Sequence, residues 1–252
     1  MSLRDLSLDQ ATEGVDNENL VAILTHTGQL LKTTLAHICS ECYNIIMKTN
    51  YSLLTEKVFD EIKEKQPKPK LLLQSCCGPC SSYVLKYLTD HFDIFVYYYN
   101  PNVYPAEEYA KRLDTQKQLL DAMPRENVIQ LVECNYDHDE FLAVAKGYED
   151  EKEGGARCAK CFMLRLEKTA QKAKEMGCDF FGTTLTVSPH KNAQVLNNIG
   201  LQLQQKYGVR FLPSDFKKKE GYKQSIELSK QYDLYRQEYC GCEFAMGHLK
   251  NE

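Results

Sequence analysis

From Lys70 onward the chain alternates short apolar runs with longer amphipathic ones, and that alternation leaves few folds open to it. Lys70–Ser75 is an apolar run fit for a buried strand, and Ser81–Leu88 follows with Tyr83, Val84, Tyr87 and Leu88 on one side of a helix. Asp93–Tyr99, Asn127–Cys134, Cys178–Leu185 and Val209–Leu212 read as further strands, the second of the five being especially rich in aromatic and β-branched residues. Pro105–Met123, Asp139–Lys146, Cys158–Met176 and Asn192–Tyr207 carry helical periodicity, and a last helix is expected at about Tyr222–Tyr232. Gly177 is a stop signal for the Cys158–Met176 helix. Strands that alternate with helices build βαβ units, so the expected class is α/β, with a mostly parallel sheet flanked by helices.

Upstream the pattern changes. Residues 1–19 are polar and acidic with little periodicity and read as a disordered tail. Residues 20–66 read as a helical N-terminal extension, with Leu20, Leu24, Leu31, Leu35, Ile38 and Ile45 at helix-compatible spacing. Pro67 and Pro69 cannot continue a helix, so the segment Lys65–Lys70 reads as a linker into an α/β domain spanning 67–252. Met1–Asn17 has no apolar core of a targeting signal, and no stretch reaches the length of a membrane span, so a cytoplasmic protein is expected. The formal net charge is −4, so nucleic acid would have to be held by a local basic patch and not by bulk charge.

The chemistry lies in the cysteines. Eleven of them in a reducing compartment argue for metal or redox work over a disulfide scaffold. Six fall into three tight groups: Cys76-Cys77, Cys158-Ala-Lys-Cys161 and Cys240-Gly-Cys242. The first pair follows the first strand and opens a helix through Gly78 and Pro79, at the sheet edge where open α/β folds bind ligands. A helix N-terminus also favours thiolate. The second pair follows Gly154-Gly155 into a helix, and thiols at i and i+3 share a face and can chelate one centre. The third pair either forms a strained, labile disulfide or binds a second metal. Cys80 lies one helical turn from the first pair, as a ligand or as a neighbour. Cys39 and Cys42, and Cys134 and Cys178, read as structural.

Polar residues surround these groups. Arg157 and Arg165 flank the second pair, either to hold an anion or as ordinary surface arginines. The hydroxyl-rich segment Thr183–Asn192 follows a strand and brings His190 to the same sheet edge, as a proton donor or as a helix-entry residue. Asp215–Lys223 is a basic loop with aromatics, either a solvated face or a contact for RNA phosphates.

Several segments in order, Leu71–Ser82, Tyr98–Asn102, Gly154–Phe162, Thr183–Asn192, Asp215–Lys219 and Tyr235–Cys242, resemble the epoxyqueuosine reductase QueH family. The likeness runs from about Asn50 to Phe244. It implies a Rossmann-like (HUP-type) domain that reduces the epoxide of epoxyqueuosine at the tRNA wobble position to give queuosine, the last step of queuosine formation, without cobalamin. It implies a [4Fe–4S] cluster on Cys76, Cys77, Cys158 and Cys161, with Cys240 and Cys242 as a redox-active pair or as ligands to an additional mononuclear iron. The partners it implies are a tRNA carrying epoxyqueuosine in its anticodon loop and an electron donor that the sequence does not name. Under that reading Lys217, Lys218, Lys219, Lys223 and Lys191 are the expected phosphate contacts, and His190 or Tyr239 the expected proton donor. Two rivals use the same cysteines: a zinc-stabilised RNA- or nucleotide-binding module, and a metal-free dithiol oxidoreductase.

Overall fold

The computed structural model describes residues 49–124, 129–237 and 239–245. The expected tail, most of the helical extension, and Cys39 and Cys42 lie outside them. Five strands form one sheet: β1 (Lys70–Gln74), β2 (Asp93–Tyr97), β3 (Ile129–Val132), β4 (Phe180–Thr183) and β5 (Arg210–Phe211). Every pairing is parallel and the order is β3-β2-β1-β4-β5. The chain builds outward from β1 to β3, then returns to the other side of β1 for β4. This is the Rossmann-like α/β architecture, and its order reverses between β1 and β4.

The period of two along β1 divides the core. Leu71 and Leu73 face one layer, with Val84, Leu85 and Leu88 of α2 (Gly78–Leu88), Leu119 and Leu120 of α3 (Ala106–Ala122), and Leu228 of α7 (Gly221–Gln231). Leu72 faces the other, with Leu166, Ala170 and Ala173 of α5 (Ala156–Glu175) and Leu196, Ile199 and Leu203 of α6 (Ala193–Tyr207). All three β1 leucines are fully buried. Truncating any of them to alanine is expected to cost about 2–5 kcal/mol. A short helix, α4 (His138–Ala145), precedes α5 and packs against it.

Residues 50–252 form one compact unit. Its first helix, α1 (Tyr51–Ile62), is capped by the Asn50 side chain, which accepts from the Leu53 amide. Val58, Phe59 and Ile62 of this helix lie in the same layer as Leu71. The Thr55 hydroxyl donates to the Pro213 carbonyl at 2.7 Å. α1 ends at Ile62, before the proline-containing segment, and its buried stripe joins it to the α/β body.

Two helices start earlier than their periodicity suggests. α2 begins at Gly78, with Cys77 extended as its N-cap and Pro79 in the first turn. A Cβ on Gly78 would sit 2.7 Å from the Thr115 carbonyl oxygen, so the close approach of α2 to α3 requires glycine. α5 begins at Ala156 and draws Cys158 inside its first turn. β4 ends early, because Thr184–Val187 winds into a 3₁₀ turn. Among the described residues no helix is long and apolar enough to cross a membrane.

Candidate thiolate site at the sheet switch point

The turn after β1 is fastened on every side. The Ser75 amide donates to Tyr97 O at 2.9 Å, and Asn100 Nδ2 donates to Ser75 O at 2.9 Å. The hydroxyls of Ser75 and Ser81 both reach Gln116 Oε1, at 2.7 and 2.9 Å. Gln74 Nε2 donates to Tyr99 O at 3.2 Å. These groups are buried, and a connected polar network of this kind gives the next two residues one fixed geometry.

Those residues are Cys76 and Cys77. In an extended chain their side chains would diverge, but the entry into α2 brings their sulfurs to 3.7 Å. Cys80, one turn into α2, completes a triad with all three Sγ atoms within 4.8 Å of one another. The sequence left Cys80 between ligand and neighbour; the fold puts it with the pair. Among the described residues this is the one group of three or more His, Cys, Asp or Glu side chains with donor atoms so close.

Three thiols at this spacing share their protons unevenly. Hydrogen bonds from Cys77 and Cys80 hold Cys76 well below the ordinary thiol value, and the Arg165 charge and the Thr184 hydroxyl add to the effect against the opposing cost of burial. Donating to Cys76 pushes Cys77 up to about 12 and Cys80 upward as well. Gln237 Nε2 donates to Cys77 Sγ at 2.9 Å. Full ionisation of the set therefore needs a cation among the sulfurs. An all-thiolate donor set suits iron–sulfur chemistry or zinc, and the residues fit such a centre.

The other two cysteine groups meet each other. Cys158 accepts from the Gly154 amide at 3.2 Å, and Cys161 is buried in an apolar cluster with Cys242, Phe141 and Ala245, with Cys240 packed against it. Burial pushes Cys161 up to about 12; Arg165 opposes the rise, and the nearby Cys240, Cys242 and Cys158 add to it. Burial raises Cys242 too. Arg165 thus acts on both Cys76 and Cys161 and sits electrostatically between the two thiol groups. Its Nη2 donates to Asn100 Oδ1 at 2.6 Å, which fixes it over the switch point.

The Cys240-Gly-Cys242 turn is pinned through its backbone. Arg112 Nη1 donates to Cys240 O at 3.1 Å and the Tyr104 amide to Gly241 O at 2.8 Å. Gly241 has φ of 92°, and a Cβ there would meet Arg112 Nη1 at 2.6 Å. Both cysteines carry free thiols.

A cleft of about 690 Å³ opens over this floor, a size that suits a small-molecule or nucleotide ligand. Cys76, Cys80, Cys240, Arg165, His190 and Lys191 all line it. His190 is exposed at its mouth. Lys191 lies deeper: its side chain is 10% exposed, and Nζ donates to Glu153 Oε1 at 2.7 Å and to Cys240 Sγ at 3.2 Å. Burial works against its charge, but Cys240 and Glu153 more than offset this and hold its pKa above the ordinary lysine value.

The remaining expected phosphate contacts are largely paired with acids. Lys217 meets Asp215 at 2.9 Å and also donates to Thr186 O at 3.2 Å. Lys219 meets Glu56 at 2.6 Å and Lys223 meets Glu220 at 3.5 Å. Of that loop's lysines only Lys218 has no carboxylate partner among the described residues. Cys134 and Cys178 pack with the layer around Leu72 and are not part of the triad. Sequence reasoning did not single out Arg112 and Gln237. Arg112 is one more charge on an amphipathic helix until the fold buries it, and Gln237 is marked only by standing three residues before Cys240.

Fold and site together define a Rossmann-like protein with a multi-cysteine centre at the carboxyl ends of β1 and β4. Residues 71–248 match the family model described as epoxyqueuosine reductase QueH. Similar proteins named epoxyqueuosine reductase QueH include those of Streptococcus pyogenes, 43% identical over 79% of this chain and 78% of the relative, and Staphylococcus epidermidis, 43% identical over 79% and 85%. The protein of that name from Thermotoga maritima is 36% identical over 70% of this chain and 90% of its own length. The chain belongs to the epoxyqueuosine reductase QueH family, and it is an oxidoreductase.

Proposed function

We propose that the chain removes the epoxide oxygen of epoxyqueuosine at the wobble position of tRNA, leaving the cyclopentene of queuosine, and that it does so without cobalamin. Family membership supports the substrate, and the observation that carries the chemistry is the Cys76, Cys77 and Cys80 triad, with sulfurs within 4.8 Å and with Cys76 and Cys80 lining the cleft. The reaction takes two electrons and two protons, and the oxygen leaves as water.

Cys76 and Cys77, with Cys158 and Cys161 from the start of α5, are the residues assigned to hold a [4Fe–4S] cluster, and Cys80 joins them as a candidate ligand. When bound, such a cluster supplies electrons one at a time. Arg165 lowers the cost of gathering negative sulfur in a buried place, and the Gln237 amide hydrogen bond steadies Cys77. Cys240 and Cys242 are either the second redox group or ligands to an additional iron. As a dithiol they balance the reaction by themselves: two S–H groups give two electrons and two protons and become a disulfide. Lys191, held cationic beside Cys240, offers a charge for the departing oxygen, and His190 lines the same cleft.

Anaerobic purification followed by iron and acid-labile sulfide assays tests the centre. About four of each per chain supports a cubane, and iron in excess of sulfide favours an additional iron at Cys240 and Cys242. Zinc without sulfide, after reconstitution has also failed, would support the binding-module reading instead.

A further inference from the structure

The chain as a whole is acidic, yet the cleft is not. Four cations line it, Arg112, Arg165, Lys191 and Arg236, against one carboxylate, Glu153. Two of the four are already matched: Arg112 with Glu108 at 2.6 Å, and Lys191 with Glu153. Arg165 is 3% exposed and bonded to Asn100 on the cleft floor. Arg236 differs from all three. It is half-buried, and among the described residues its one hydrogen bond is to the Ser229 hydroxyl at 3.4 Å and no carboxylate pairs with it.

Aromatic rings accompany these cations. Arg236 lies over the ring of Tyr222, 5.3 Å from its centroid, and Arg112 over Tyr239 at 5.1 Å. Both tyrosines line the cleft. Close by in sequence, Lys111 stands 3.5 Å above the Tyr235 ring, also with no carboxylate partner among the described residues. Aromatic faces interleaved with unneutralised cations are how proteins hold unpaired nucleotides: rings stack bases and the cations meet phosphates. The lysines at 217, 219 and 223 differ from Arg236 in being paired with carboxylates, Asp215, Glu56 and Glu220 in turn.

We propose that the RNA loop enters along the rim built by Tyr222, Arg236 and Tyr239, with Arg236 meeting a phosphate of the splayed-out nucleotide and Tyr222 offering a stacking face, and that residues 217–219 lie outside the footprint. The assignment rests on the reading that the chain acts on a nucleotide within an RNA loop. A base in the cleft must leave its stack, and its own and neighbouring phosphates then cross this rim.

The test is fluorescence anisotropy with a labelled anticodon stem–loop RNA over a series of KCl concentrations, on the wild-type chain, Arg236→Gln, Arg236→Lys, Tyr222→Leu and the double variant Lys218→Glu/Lys219→Glu. Arg236→Gln is expected to weaken binding about tenfold and to reduce the log–log salt slope by about 0.7, the value of one single-strand phosphate contact. Arg236→Lys restores the slope. Tyr222→Leu weakens binding about tenfold with the slope unchanged, as loss of one stacked base should. The lysine double variant stays within about twofold. Wild-type binding with Arg236→Gln and Tyr222→Leu unaltered, or a loss confined to the lysine variant, overturns the assignment alone. A wild-type chain that binds no RNA overturns the reading beneath it as well.

Discussion

Lys191 Nζ lies 3.2 Å from Cys240 Sγ, so a lysine that the sequence offered as a phosphate contact is committed to a thiol. The pairing separates two roles that charge counting alone merges. A hydrogen bond to a charged group contributes about 1.5–3 kcal/mol, so Lys191→Met is expected to lower turnover by about 10- to 100-fold. RNA affinity and its salt slope should stay within about twofold of wild type. Single-turnover kinetics beside anisotropy measures both, and the reverse pattern would return Lys191 to the RNA interface.

Gly241→Ala tests the backbone that carries the third cysteine pair. Its φ of 92° is strained for any residue with a Cβ, and the added methyl meets Arg112 Nη1 at 2.6 Å. The expected cost is about 1–3 kcal/mol of local stability, with Cys240 displaced from Lys191. Turnover should fall more than tenfold while acid-labile sulfide stays at the wild-type level. A fully active variant would mean that the position of this turn is not needed for the reaction.

Cys80→Ser tests membership of the triad. Iron per chain after anaerobic purification is expected to fall well below wild type, whereas Cys134→Ser and Cys178→Ser should retain it. Wild-type iron and spectrum in Cys80→Ser would leave Cys80 as a neighbour of the centre only.

How much of this was legible in the sequence depends on the length scale of the signal. The strands and helices were readable because Leu71, Leu72 and Leu73, or Phe162, Leu166 and Ala170, carry their periodicity within one element. Cys76 and Cys77 were readable as a site because a cysteine pair beside Gly78 and Pro79 marks a strand-to-helix turn. Cys80 stayed ambiguous, because its role depends on α2 starting at Gly78, and that start depends on an approach to Thr115 from a helix far along the chain. Lys217 and Lys219 looked free because their partners include Asp215 in a turn of unknown shape and Glu56 in a helix grouped with the upstream extension. Glu56 lies 163 residues before Lys219, and pairing over such a distance has no local pattern to betray it.

A pH effect follows from His91, whose ring stacks on Phe59 with centroids 3.7 Å apart. Burial is the main cause that lowers its pKa below the ordinary histidine value. Below about pH 6.5 the unfolded chain takes up a proton that the folded chain resists, so stability is lost as pH falls through that value, with a slope of at most about 1.4 kcal/mol per unit from this residue. Urea unfolding at pH 7.5 and 5.5 should show a smaller acid loss in His91→Phe than in wild type, where both pH values are chosen to lie about one unit either side of the ordinary histidine pKa. Equal losses would remove His91 from the acid response.

The most direct measurement follows the substrate itself. The anaerobically reconstituted chain is incubated with epoxyqueuosine-containing tRNA and a low-potential reductant, and the digested nucleosides are separated by liquid chromatography with mass detection. The expected result is conversion of epoxyqueuosine to queuosine, with loss of one oxygen, in the absence of cobalamin, and its abolition in Cys76→Ser and Cys240→Ser. Unchanged epoxyqueuosine with an iron–sulfur-replete wild-type chain, or full conversion by Cys76→Ser, would contradict the account.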